Sequence, residues 1–112
     1  MKAGSAPERE KINVARLDEL VELYTDPHGP GLSDVQREEL SRMHECVRQS
    51  IRLALLGSRA WTRPRAWRAG QAFFNKLHPA LQDLLQGTEH DPFFDDSKLG
   101  GAVEFLYRRL SL

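Results

Sequence analysis

Between Ser33 and Gly57 the apolar residues fall at Leu40, Met43, Val47, Ile51, Ala54 and Leu55. Steps of three and four place them on one stripe of an α-helix, whereas a strand would scatter them over both faces. No other feature constrains the fold as strongly. Ser33 with Gln36 makes a capping box at the start of this helix, and Gly57 stands where a C-terminal glycine cap belongs. Arg37, Arg48 and Arg52 fall mostly off the stripe.

The same spacing recurs on either side. A first helix is predicted from about Ala6 to Tyr24, opened by Ser5 with Glu8, with Pro7 in its first turn and Val14, Leu17, Leu20, Val21 and Tyr24 inward. Asp26-Pro27-His28-Gly29-Pro30-Gly31 stops it. A third helix is predicted from Thr62, as N-cap, to the His78-Pro79 break, with Pro64 in its first turn. Ala66, Gly70, Phe73 and Leu77 form its seam, Trp67 and Phe74 broaden it, and Arg65, Arg68, Ala72 and Lys76 lie opposite. A glycine inside a helix costs about 1 kcal/mol relative to alanine, so Gly70 predicts another backbone packed close. A short helix from Pro79 to Gln86 should stop at Gly87. A last one, starting near Asp95 to Ser97, carries Leu99, Val103, Leu106 and Leu110. No segment sustains two-residue alternation. The expectation is all-α: one domain over residues 1–112, a compact bundle of about four to five short helices without substantial sheet, residues 1–5 being disordered.

A chain of 112 residues suits one domain that stands without disulfides or a structural metal. Cys46 is the single cysteine, so no intrachain disulfide forms and nothing signals an oxidising compartment. MKAGSAPEREKI lacks the apolar run of a signal peptide, and the apolar stretch Leu53 to Leu56 is far too short for a bilayer. The expectation is a cytoplasmic protein with no membrane contact. Net charge is zero, yet from Arg37 to Arg68 there are eight arginines against three glutamates, and from Leu81 to Ser97 five acidic residues and no lysine or arginine. Either the two segments face each other in the fold or one of them meets a partner.

Two segments are candidates for function. Glu89, Asp91, Asp95 and Asp96, with His90, form an acidic surface of oxygen ligands for a hard cation, but the glycine-centred spacing of a calcium loop is absent. Capping explains them as well: Asp95 or Asp96 at the last helix and Asp91 turning the chain before Pro92, with Phe93 and Phe94 pinning the loop to the core. The stretch with Arg59, Trp61, Arg63, Arg65 and Arg68 has three readings. Its tryptophans pack and its arginines pair with the acidic loop, or it binds a protein, since Trp and Arg dominate interface hot spots. In the third, it holds phosphates and stacks on bases, with Gly57 and helix three imitating a helix-turn-helix. A neutral chain fits nucleic acid poorly. No histidine is at metal spacing with another or with Cys46, and His44-Glu45 lacks the second histidine of a zincin. His28 and His78, beside prolines, read as structural, and Cys46 as a small buried hydrophobe. No nucleophile elbow, phosphate loop or dinucleotide fingerprint is present. No cofactor, metal or catalytic residue is expected.

One longer pattern remains. Arg68-Ala69-Gly70-Gln71-Ala72-Phe73-Phe74-Asn75, then Pro79, Gly87-Thr88 and Asp91-Pro92-Phe93-Phe94-Asp95-Asp96-Ser97 resembles small proteins of tailed phages and prophages. That group commonly has tyrosine where this chain has Phe94. The resemblance spans Arg68 to the C-terminus and implies a phage or prophage origin. By association, it also implies an accessory protein that binds, and perturbs, a host protein or a component of bacterial defence. A homodimer and nucleic-acid binding through the start of helix three are the other interactions open to the chain.

Overall fold

The computed structural model describes residues 12–112. Among them the protein is all-α, with no strand. Helix α1 is Val14–Thr25 and α2 is Asp34–Gly57. Helix α3 is Ala69–Lys76, α4 is Pro79–Leu85, and a single 3-10 turn, Asp96–Lys98, leads into α5, Leu99–Arg109.

Helix α2 forms as its stripe predicts. Ser33 Oγ accepts from the Gln36 amide at 3.1 Å and Gln36 Oε1 from the Ser33 amide at 2.9 Å. Leu40, Met43, Val47, Ile51 and Ala54 are buried. They share one core with Leu17 and Leu20 of α1, Phe73 and Leu77 at α3, Leu81 and Leu85 of α4, and Ala102, Leu106 and Leu110 of the last helix. Each fully buried leucine contributes roughly 1.5–3 kcal/mol of transfer free energy, and this core outweighs the modest propensity of the short helices. Arg16 clamps Glu39 through two bonds of 2.9 Å, tying α1 to α2. Arg109 holds Asp18 at 2.8 and 3.0 Å, tying α5 to α1.

Several expectations are corrected. Helix α1 begins at Val14, because Asn13 is extended and its side chain accepts from the Arg16 amide; the Ser5–Glu8 capping box and the predicted disorder of residues 1–5 lie outside the described residues. Tyr24 is exposed instead of joining the stripe. Gly57 is the last residue of α2 and not a left-handed cap. A Cβ there would stand 3.2 Å from the aliphatic chain of Lys76, which crosses it. The third helix starts at Ala69 with Arg68 as its N-cap, six residues beyond the expected cap Thr62, and Ala72, expected opposite the seam, is buried. Thr62 caps the other way: its hydroxyl donates back to the Leu56 carbonyl at 2.5 Å, closing α2. The chain from 58 to 68 is a run of turns.

Candidate protein-binding surface

The arginine-rich turns are built around one guanidinium. Arg63 donates from Nε to the Trp67 carbonyl and from Nη1 to the Ser58 carbonyl, both at 2.8 Å, so it stitches the two ends of the run together. Ser58 is buried beneath it. Trp67 is half-buried, while Trp61, at the tip, is 77 % exposed. The Arg59 guanidinium lies 5.5 Å from the centre of the Trp61 ring, a cation–π contact that orients the indole. Arg65 is exposed, with no hydrogen-bond or ion-pair partner among the described residues.

The next arginine is used differently. Arg68 donates from Nη2 to the Phe93 carbonyl, and its Nε lies 3.8 Å from Asp96 Oδ1. The same carboxylate oxygen accepts the Gly70 amide at 2.9 Å, capping the first turn of α3. A Cβ on Gly70 would stand 2.0 Å from the Pro92 carbonyl oxygen. This is the backbone approach that the helix-interior glycine predicted. Among the described residues, the charged groups of the two segments therefore meet through Arg68, while no hydrogen bond or ion pair joins Arg59, Arg63 or Arg65 to the acidic loop.

Each aspartate of that loop holds a different piece of backbone. Asp91 accepts from the Phe93 amide at 2.9 Å and the Gly87 amide at 3.1 Å, with Gly87 left-handed at φ 77° where α4 must stop. Asp95 accepts from the Ser97 amide at 3.0 Å and its hydroxyl at 2.6 Å. Those bonds hold the Asp95 carboxyl below the usual carboxylate range. Pro92 is fully buried, and Phe93 meets Phe74 edge to face at 5.6 Å. Glu89 faces His90 at 3.7 Å, and the His90 ring stacks on Phe105. Among the described residues no three His, Cys, Asp or Glu side chains converge as a metal site would require. Phe94 was expected to help pin the loop. It touches Phe93 edge-on at 4.7 Å but is 82 % exposed. The pattern of alternating capping residues could have revealed this, because it anchors both sides of position 94 and leaves that side chain without a packing role.

Away from this joint, α2 and the α3–α4 corner enclose an open groove of about 640 Å³, lined by Cys46, Leu53, Leu77 and His78 among others. His78 caps α4, Nδ1 accepting from the Ala80 amide, while its own amide donates to Ser50 Oγ. His44 is half-buried against the Leu110 carbonyl at 3.0 Å, and desolvation pushes its imidazole below the ordinary value. His28 sits exposed in the α1–α2 turn, its amide on Asp26.

Comparison with known proteins adds no relative: no protein family, curated protein or solved structure matches this chain. No helix of the described residues is long and apolar enough to cross a membrane.

Proposed function

We propose that this protein acts by binding another protein, with Trp61 as the anchor and Arg59 and Arg65 beside it. The observation that carries the reading is the 77 % exposure of Trp61 at the tip of a turn that Arg63 holds closed. A large aromatic presented on a preorganised loop loses little entropy on docking, and Trp with Arg is the common hot-spot pairing. The resemblance to small tailed-phage proteins supports a phage or prophage accessory role, with a host or bacterial-defence protein as the partner and inhibition as the outcome. The reading assigns no reaction to the chain itself.

Nucleic acid is the rival. Its helix-turn-helix form loses support because the segment expected to open a recognition helix is a run of turns, and Arg68 at the head of α3 is bound to the loop. Capture from a host lysate on immobilised wild-type protein and on Trp61→Ala tests the proposal. A protein held by the first should be lost from the second, while the two stabilities agree within about 0.5 kcal/mol, as expected of a surface change. Equal capture by both rejects the surface. Binding to duplex DNA that weakens steeply between two salt concentrations supports the rival.

A further inference from the structure

We infer that the open groove between α2 and the α3–α4 corner is the docking site of the chain's own residues 1–11. The inference is independent of the reading of Trp61. Ile12 is what directs that segment to the groove. Its side chain is 7 % exposed, belongs to the core and forms part of the groove wall. Asn13 after it is extended and caps α1, so the chain before Ile12 starts at this wall. Eleven residues reach at most about 40 Å, whereas α2 rises only about 10 Å between Cys46 and Leu53, its two apolar residues in the groove.

The groove and the segment match in chemistry. Leu77 and Leu53, the latter 52 % exposed, make the groove apolar within a charged rim. Glu45 lines it and faces Arg48 at 3.7 Å. Lys76 lines it too, its aliphatic chain laid across Gly57, and has no ion-pair partner among the described residues. Arg52 reaches the rim through a bond of 2.9 Å to Gln49 Oε1. Asp83 is exposed one turn beyond Pro79 but does not line the groove. The segment offers Met1, Ala3, Ala6 and Pro7 to the apolar surface, Glu8 and Glu10 to Lys76 and Arg52, and Arg9 and Lys11 to Glu45. Attachment at Ile12 gives it an effective concentration on the order of 1 mM. A contact too weak to retain a free peptide therefore retains this one, which favours the chain's own segment over a separate partner.

Paramagnetic quenching in the full-length chain provides the test. A nitroxide is attached at position 3 of the Ala3→Cys, Cys46→Ser variant, and amide signals are compared with the label oxidised and reduced. The amides of Gln49, Ser50, Leu53 and Leu77 should lose at least half of their intensity. Adding Leu53→Glu, an exposed position outside the core, should restore most of it, and so should Lys76→Glu. Glu8→Lys with Glu10→Lys, added to Lys76→Glu, should bring the loss back. Thermal melts check that each variant is folded. No loss at these amides, or a loss that either groove variant leaves unchanged, overturns the inference. The same loss in an isotope-labelled copy without nitroxide, mixed with a nitroxide-bearing copy, assigns the groove to the segment of a second copy and also overturns it.

Discussion

Gly70 is the residue on which the joint turns. Its missing side chain admits the Pro92 carbonyl, and its amide binds Asp96. On helix propensity alone, Gly70→Ala would be stabilising by about 1 kcal/mol. Backbone blocks the new methyl group, so the opposite is expected: a loss on the order of 3 kcal/mol by overpacking, read from urea unfolding. A stability gain would show that the loop yields easily. His44 supplies the second prediction at this scale. Burial, then Arg48, lowers its imidazole, while the Leu110 carbonyl opposes them. The unfolded chain therefore takes up the proton first as pH falls below about 6.5. Stability is fully present above that value and declines below it, until the folded imidazole is also charged. Melting temperature should fall from pH 7 to pH 5 more steeply in wild type than in His44→Gln; parallel curves would remove His44 as the cause. Glu39 and Asp95, both held below the usual carboxylate range, act only at lower pH.

Among the elements, α5 ends in a way that invites a direct test. The Leu112 amide donates to the Tyr107 carbonyl at 3.0 Å and the Ser111 amide to Arg108 at 3.3 Å, a Schellman closure with Ser111 at φ 58°. Glycine is relieved of the Cβ clash that serine suffers there, so Ser111→Gly should stabilise by roughly 1 kcal/mol, measured by thermal or urea melts. How legible each element was in the sequence follows from where its signals lie. Helix α2 was readable because stripe, capping box and length agree. Helix α3 was misplaced because Thr62 and Pro64 are local N-terminal signals, whereas the Thr62 hydroxyl turns back to a carbonyl six residues earlier. Gly57 misled for a similar reason: its constraint is Lys76, a neighbour in space only. Gly70 announced a close backbone without saying whose. The capping roles of Asp91 and Asp95 were legible because their partners lie within four residues, while the reach of Arg68 to Phe93 spans 25 positions and left no local trace.

At the scale of the molecule, Arg68 joins two segments that composition alone set against each other as a basic middle and an acidic stretch. Charge balance made a broad pairing reasonable, but a single arginine makes the contact, leaving most of the charge on both sides facing water. For the same reason, replacing Trp61 or Phe94 should leave the core untouched, since neither ring enters it. Arg63, although equally basic, is a poor choice for mapping a partner, because its removal would open the turn that displays the indole. The stitch it makes between Ser58 and Trp67 has one more consequence. Arg63 holds the base of the turn and Thr62 ties it to the end of α2, while Ala60 and Trp61 at its crest stand outside the core, so those two can be exchanged without retuning α2 or α3. Changes at the crest can thus alter the surface that the turn presents while the helices beneath it keep their packing.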